Sequence, residues 1–184
     1  MDSIRSLELF RRVDAIEHAW CLRLNRPCAI AAVRKFFGVV SRLGDGVFWY
    51  VLVLLLPVVY AEDGLIPALR MAMVGVTGLA LYKLLKSRLV RERPYISLAG
   101  VVAGTKTLDR YSFPSGHTLH AVSFTLVAID SFPVLALLLV PFALLVAASR
   151  VVLGLHYPSD VAAGALIGAG LAYASIVLMP IASA

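Results

Sequence analysis

Residues Val161–Met179 read VAAGALIGAGLAYASIVLM, and no charged side chain interrupts them. A helix of about 20 mostly apolar residues is long enough to cross the hydrocarbon core of a bilayer. The segment is also rich in Ala and Gly, and small residues let transmembrane helices approach one another closely. It therefore predicts a membrane-spanning helix packed against neighbouring helices.

The rest of the chain has a similar composition. Of its 184 residues, 60% are hydrophobic and 15% are charged, whereas about a quarter of positions are charged in a typical soluble domain. This composition excludes a disordered chain, a collagen-like fibre, a small disulfide scaffold and a cytosolic globular protein. We expect residues 1–184 to form a single membrane domain.

Further apolar stretches predict more spans. Two turns separate them, at 62–64 and at 130–133, and residues 27–43 are not counted because Arg34 and Lys35 interrupt them. The expected fold is all-α, a polytopic membrane bundle of about five transmembrane helices. The four spans before 161–179 are Phe48–Ala61, Leu65–Leu85, His117–Ile129 and Val134–Ala148.

The N-terminal segment, residues 1–45, differs from the bundle, residues 46–184, because it holds 13 of the 28 charged residues. Its apolar positions, such as Ile16, Trp20 and Leu24, recur at helical spacing among charged ones. This pattern predicts an amphipathic helix that lies on the membrane surface.

Polar residues are expected to meet at one face of the bundle. Because consecutive spans alternate in direction, the loops 86–112 and 150–158 share a face. The polar residues of interest lie between 86 and 160, in the clusters 86–94, 114–117 and 149–160. Charged groups at the ends of membrane helices are costly unless they are paired, so these clusters are candidate functional sites.

The clusters contain groups suited to bind a phosphate. Lys86, Arg93 and Arg150 supply cations that can neutralise a phosphate dianion and the charge that develops as it is transferred. Ser115 and Gly116 precede a predicted helix, whose first backbone N–H groups can also bind an anion. We predict a phosphate-binding site.

Two histidines are candidates for catalysis. His156 and Asp160 are four residues apart, within reach of each other if the loop already turns into helix. A carboxylate at one ring nitrogen would leave the other nitrogen free to act as a nucleophile. His117 would then be available as a general acid.

Taken together, the clusters resemble the three-part signature of the type 2 phosphatidic acid phosphatase (PAP2) superfamily. The matching blocks are Lys86-x6-Arg93-Pro94, Pro114-Ser115-Gly116-His117 and Ser149-Arg150-x5-His156-x3-Asp160. They occur in the family's order, and no signature residue departs from the pattern. The resemblance implies a compact helical bundle and an integral membrane phosphatase that needs no metal or other cofactor.

The resemblance also implies the role of each residue. His156 would attack the phosphorus and form a phosphohistidine, Asp160 would orient His156, and His117 would protonate the leaving group. The phosphate oxygens would be held by Lys86, Arg93, Ser115, Gly116 and Arg150.

A lipid phosphate or pyrophosphate is the substrate class that the resemblance implies. Undecaprenyl pyrophosphate is favoured, and phosphatidic acid, phosphatidylglycerol phosphate and lipid A phosphates are alternatives. The expected partners are membrane lipids, with no nucleic acid and no obligate protein partner.

Other classes of function remain as alternatives. A small transporter would carry ionisable groups at mid-membrane on several spans. Arg70 is the candidate for an ionisable group at that depth. A metal or haem site could use His117, His120 and His156, although the nearby cations would oppose a metal cation.

Several residues have more modest interpretations. Arg88 and Arg91 are interpreted as contacts to anionic headgroups. Asp109 either lines the entrance of the site or caps its loop, as do its neighbours Arg110 and Tyr111. The two cysteines, Cys21 and Cys28, have no metal-type companions and are predicted to be packing residues.

Two arguments disagree about which side of the membrane the site faces. The face with the site also carries the eight basic residues of segment 1–45 and six in 86–110, and basic loops are typically cytoplasmic. The resemblance points instead to the periplasmic side of a bacterial inner membrane, and we take this side as the expectation.

Overall fold

The computed structural model describes residues 2–106 and 109–180, with side chains from Asp14 onward. Helices dominate these ranges, and the one β-bridge found there joins Glu92 to Tyr111. The all-α prediction is confirmed. The helices are α1 (Asp2–Asn25), α2 (Ala31–Leu43), α3 (Val47–Tyr60), α4 (Leu65–Arg88), α5 (Pro94–Ser97), α6 (Gly116–Ser131), α7 (Ala136–Val152) and α8 (Pro158–Leu178).

Each predicted span corresponds to a helix with slightly different bounds. The largest difference at a start is in α8, which begins at Pro158, three residues before the predicted Val161. Helix α7 begins two residues after the predicted Val134 because a 3-10 turn occupies Pro133–Leu135. In the described residues, the helical segments long and apolar enough to cross a membrane are Val47–Arg88, Pro133–Val152 and Pro158–Leu178. The first of these contains both α3 and α4, so the count of five spans stays a prediction.

Helix α6 lies at the centre of the bundle. Its side chains Val127 and Ala128 are completely buried, and they share the core with Met71 from α4 and Leu139 from α7. The outer surface is also apolar: Leu137, for example, is 83% exposed. An apolar core with an apolar exterior is the arrangement expected of a bundle surrounded by lipid.

Glycines allow α8 to lie directly against α6. A Cβ atom on Gly164 would lie 2.5 Å from the Ser115 carbonyl oxygen, and one on Gly168 would lie 2.4 Å from that of Leu119. Because the obstructing atoms are backbone, no rotation of a side chain could relieve such a contact. This close packing holds the start of α8, with Asp160, beside the start of α6.

We expect Gly168→Ala to lower the free energy of unfolding by about 1–3 kcal/mol, since overpacking a tight contact forces the backbone to shift. Thermal unfolding in detergent would measure the change. Gly170→Ala is the matched control on the same helix, because a Cβ there meets nothing within 4 Å. Equal stability of the two variants would contradict the proposed role of Gly168 in α6–α8 packing.

The N-terminal helix α1 has the exposed apolar side chains predicted for a helix at the membrane surface. Ile16 is 59% exposed and Trp20 is 54% exposed. The apolar positions of this helix before Asp14 lie outside the residues whose side chains are described. Cys21 and Cys28 are free and buried, as the packing interpretation predicts.

Arg70 closes the end of the bundle opposite the predicted site. Its side chain is 1% exposed, its Nη1 lies 3.0 Å from Asp130 Oδ2, and its Nε donates to the Met179 carbonyl at 2.8 Å. The guanidinium therefore joins α4 to the ends of α6 and α8. These contacts give Arg70 a structural role. Its ion-pair partner Asp130 lies in the last turn of α6 and not in the turn predicted at 130–133.

Candidate active site

The three motif clusters meet at one end of the bundle. Arg93 precedes α5, Ser115 is the N-cap of α6, and His156 lies in the loop between α7 and α8. The Ser115 N–H donates to the Asp160 carbonyl at 3.0 Å, and Arg93 Nη1 donates to the Leu155 carbonyl at 2.8 Å. These two contacts, one between backbone groups and one from a side chain to backbone, hold segments more than 40 residues apart in the chain against one another.

His156 lies between a cation and a carboxylate. Its Nε2 is 3.2 Å from Arg93 Nη1, and its Nδ1 is 3.6 Å from Asp160 Oδ2. Because a guanidinium can only donate, Nε2 accepts and Nδ1 carries the proton of the neutral ring. The contact to Asp160 is longer than a hydrogen bond, although the two groups face each other.

The surroundings of His156 favour its neutral form. The residue is 2% exposed, and burial holds the pKa of His156 well below its usual value, with the charges of Arg150 and Arg93 acting in the same direction. Since Nε2 stays unprotonated at neutral pH, its lone pair is available for nucleophilic attack.

Asp109 bridges two of the predicted phosphate-binding cations. Its Oδ2 lies 2.8 Å from Lys86 Nζ, and its Oδ1 lies 2.7 Å from Arg93 Nη2. Burial raises the pKa of Asp109, but hydrogen bonds from Lys86 and Arg93 outweigh this effect and leave the pKa lowered. The structure thus places this carboxylate at the cations, where a phosphate would also be attracted.

Arg150 is a buried cation whose positive charge is poorly balanced by its neighbours. It is 4% exposed, and its Nη1 donates to Ser41 Oγ on α2 at 2.5 Å. Within the described part of the chain, its Nε has no hydrogen-bond partner and no carboxylate lies within ion-pair distance. A buried charge without a counterion is costly, so this position is suited to bind an anion.

His117 lies in the first turn of α6 beside an acidic residue. Its Nε2 is 2.5 Å from Asp45 Oδ1, although the contact lacks hydrogen-bond geometry. The pKa of Asp45 is lowered, chiefly by this contact with His117 and against the effect of burial. A carboxylate in this position favours a protonated imidazole, the form that a general acid requires, whereas burial and the charge of Arg150 favour the neutral ring.

Ser115 and Gly116 shape the start of α6. Ser115 is completely buried and its Oγ accepts from the Thr118 N–H at 3.4 Å, so the side chain caps the helix. A Cβ atom on Gly116 would lie 3.0 Å from the Tyr82 ring. The Ser115 N–H donates to the Asp160 carbonyl, so it is not available to an anion. The N–H groups of Gly116 and His117 in the first turn have no partner within the helix, and they are the donors that remain for an anion.

Arg91 has different surroundings from those predicted, and the structure also shows the contacts of Arg110 and His120. Arg91 was interpreted as a headgroup contact, but its Nη1 lies 2.8 Å from Asp160 Oδ1. Arg110 pairs with Glu92 at the surface. The ring nitrogens of His120 face the carbonyls of Gly116 and Gly75, at 2.9 and 3.3 Å, which is a packing role.

No group of three or more His, Cys, Asp or Glu side chains that could hold a metal ion occurs among the described residues. The expectation that the site uses no metal stays a prediction.

The sequence interpretation missed Asp45 and Ser41, and it left Asp109 undecided. Asp45 could have been noticed, because it lies in the turn Gly44-Asp45-Gly46 just before a predicted span. The alternation of spans places that turn on the same face as His117. No local pattern marks Ser41, whose role arises only because α2 packs against α7.

Solved structures from two bacteria share this architecture. A PAP2-type phosphatidylglycerolphosphate phosphatase from Bacillus subtilis aligns with a TM-score of 0.71 and 25% identity, covering 91% of this chain and 86% of that one. LpxE from Aquifex aeolicus aligns with a TM-score of 0.70 and 28% identity, covering 85% and 92%. The helical arrangement is therefore shared with a transmembrane PAP2-type phosphatase and with LpxE.

A curated relative is the decaprenylphosphoryl-5-phosphoribose phosphatase of Mycobacterium tuberculosis, which is 35% identical over 92 residues. The match covers 49% of this chain and 49% of the relative, so the chain spans about half the length of the curated relative it matches. A family model for the PAP2 superfamily matches residues 65–183. This range is more than half of the chain and contains all three motif clusters, and the chain therefore belongs to the PAP2 superfamily.

Proposed function

We propose that this protein is a metal-independent membrane phosphatase that hydrolyses a lipid phosphate or pyrophosphate through a phosphohistidine. The observation that carries the proposal is the position of His156, whose unprotonated Nε2 lies 3.2 Å from Arg93 in a buried, cation-rich site. An anion is the expected ligand of such a site, and a neutral imidazole beside it is a nucleophile. Family membership and relatives named as phosphatases support the same reaction.

In the first step, a bond forms between His156 Nε2 and phosphorus as the bond from phosphorus to the leaving oxygen breaks. His117 donates its proton to that oxygen, and its neighbour Asp45 stabilises the protonated ring beforehand. As Nε2 becomes bonded, positive charge develops on the ring of His156. Asp160, which faces Nδ1, offsets this charge.

In the second step, water attacks the phosphohistidine. His117 accepts a proton from the water, the bond between nitrogen and phosphorus breaks, and inorganic phosphate leaves. Arg150, which lacks a carboxylate partner in the described part of the chain, and Lys86 supply positive charge for the oxygens of the transferred group throughout.

Phosphate release by the purified protein in detergent, from a panel of lipid phosphates and pyrophosphates with EDTA present, tests the proposal. Release that persists in EDTA is the expected result, with His156→Ala as the blank for contaminating phosphatases. Loss of release in EDTA and its return with zinc would favour a metal site. No release from any substrate would favour the transporter alternative.

Undecaprenyl pyrophosphate is the substrate that we propose, since the site can bind a doubly charged phosphate at the membrane surface beside lipid-facing helices. The name of the mycobacterial relative supports a second candidate, a phosphate on a sugar that is linked to a polyprenyl phosphate. A panel that contains both compounds, phosphatidic acid and phosphatidylglycerol phosphate would rank them by kcat/KM.

The pH dependence of kcat/KM follows from the lowered pKa of His156. Because burial and nearby cations hold that pKa well below 6.5, the nucleophile stays neutral at pH 6.5 and is lost only as the pH falls through the lowered value. We therefore expect no acid limb from His156 near pH 6.5. The pH profile is measured with two substrates whose phosphate groups differ in pKa. A limb that comes from the substrate differs between the two profiles, and a limb that comes from the enzyme does not. An acid limb that stays at pH 6.5 with both substrates would contradict the prediction.

We also propose that the site faces the periplasm. The number of basic residues on this face favours a cytoplasmic site. Lys86, Arg91 and Arg93 count less in that comparison, because they are engaged in ion pairs within the protein. Labelling of Ser87→Cys and Asp63→Cys with a membrane-impermeant maleimide tests this, since the exposed positions lie at opposite ends of α4. Labelling of Ser87→Cys alone in intact spheroplasts is expected, and labelling of Asp63→Cys alone would place the site in the cytoplasm.

A further inference from the structure

The carboxylate of Asp160 is held from both sides. Its Oδ1 lies 2.8 Å from Arg91 Nη1. Its Oδ2 accepts from the Tyr157 N–H at 2.9 Å and is the oxygen that faces His156 Nδ1. Because both oxygens are engaged, the carboxylate cannot rotate. The bond from Arg91 to Oδ1 leaves Oδ2 directed at His156.

Arg91 is itself fixed in place. Its Nη2 lies 2.5 Å from Glu17 Oε2, its Nη1 also donates to Ser159 Oγ at 2.7 Å, and its guanidinium carbon lies 3.8 Å from the centre of the Tyr157 ring. The fork of the guanidinium thus contacts Asp160 and Glu17 with different nitrogens. A lysine could supply the charge but not this geometry.

Glu17 makes a second contact to the same region. Its Oε1 accepts from the Ser159 N–H at 2.8 Å, a backbone group in the first turn of α8 that has no partner within the helix. One carboxylate from α1 therefore holds both Arg91 and the backbone residue directly before Asp160. The family model covers residues 65–183, so this contact comes from outside the region that the family model matches.

Asp160 requires such a partner because it is completely buried. An ionised carboxylate in this environment is costly unless it is paired and hydrogen-bonded. Without Arg91, the carboxylate would take up a proton or move toward solvent. Either change would remove the negative charge that faces His156 Nδ1.

We propose that Arg91, held by Glu17 of the N-terminal helix, is a positioning residue that orients Asp160 against the nucleophile His156. This proposal rests on the phosphohistidine mechanism described above. It assigns α1 a role in catalysis in addition to its place at the membrane surface.

The test compares steady-state kcat and KM for Arg91→Ala, Arg91→Lys and Glu17→Gln, with thermal unfolding of each variant. We expect Arg91→Ala to lower kcat by about 10- to 100-fold, as is typical when an outer partner of a reacting group is removed, with little change in KM. Glu17→Gln should lower kcat less, and Arg91→Lys should retain more activity than Arg91→Ala. The matched controls Arg88→Ala and Asp14→Asn change exposed residues and should retain wild-type kcat.

A double-mutant cycle with Asp160→Ala distinguishes positioning from a general structural role. If Arg91 acts through Asp160, adding Arg91→Ala to Asp160→Ala should lower kcat no further. An additional loss in that background, or a kcat for Arg91→Ala equal to that of Arg88→Ala, would overturn the positioning role while the phosphatase function stands. Absence of phosphate release by the wild-type protein would overturn both proposals.

Discussion

His156→Ala is expected to abolish phosphate release, with a loss in kcat of about 10⁴-fold or more, in the range seen when a nucleophile or its base is removed. The reason is that Nε2 of His156 is the unprotonated nitrogen at the centre of the site. It accepts from Arg93 at 3.2 Å, and burial and the neighbouring cations lower the pKa of the ring. Among the described histidines, His156 is the one within hydrogen-bond distance of Arg93.

Two measurements check this expectation. Steady-state release measures turnover, and brief reaction with a radiolabelled lipid phosphate measures the phosphoenzyme, which should be labile to acid because its bond joins nitrogen to phosphorus. Asp14→Asn, a change of an exposed side chain outside the motif clusters, serves as the control and should retain activity. A His156→Ala variant that still turns over or still forms an acid-labile phosphoenzyme would remove His156 from the nucleophile's role.

Arg93→Lys is expected to lower kcat by about 10²- to 10³-fold, the range found when one donor to a developing charge is lost. Arg93 uses all of its nitrogens: Nε donates to the Asp109 carbonyl at 3.0 Å, Nη2 contacts the Asp109 carboxylate, and Nη1 reaches both Leu155 and His156. A lysine keeps the charge but lacks the planar fork. The variant therefore separates charge from geometry.

Kinetics and thermal unfolding should be measured together, since Arg93→Lys leaves the buried Leu155 carbonyl without its donor. The matched control is Arg88→Lys, the same change at an exposed position. A loss of stability with wild-type kcat would indicate that Arg93 only supports the fold. A wild-type kcat with wild-type stability would indicate that positive charge alone is sufficient.

Much of the fold could be predicted from local sequence. The helices α4 and α8 follow directly from long apolar runs, and the turn at 62–64 separates α3 from α4 as expected. Family membership also follows from local spacing, because the signature residues lie in short blocks. The helix at 31–43 was not counted, since its charged residues exclude a span without excluding a helix.

The partners of the site residues were harder to predict. Asp160 was expected to contact His156, which is four residues away, but its ion pair is with Arg91, 69 residues away in the chain. Arg150 was recognised as a cation, yet its hydrogen-bond partner Ser41 is 109 residues distant. Such pairs depend on which helices pack together, and no short-range pattern encodes that packing.

By itself, then, the amino-acid sequence determined the membrane environment, the positions of the main helices, the family and the set of candidate catalytic residues. These properties depend on the lengths of apolar runs and on the spacing of residues within a few helical turns. The tertiary structure decided how the charges are paired: Asp109 with Lys86 and Arg93, and Arg91 with both Glu17 and Asp160. Pairing of this kind is set by distances of a few ångströms between side chains on different elements, and those distances exist only once the helices have packed.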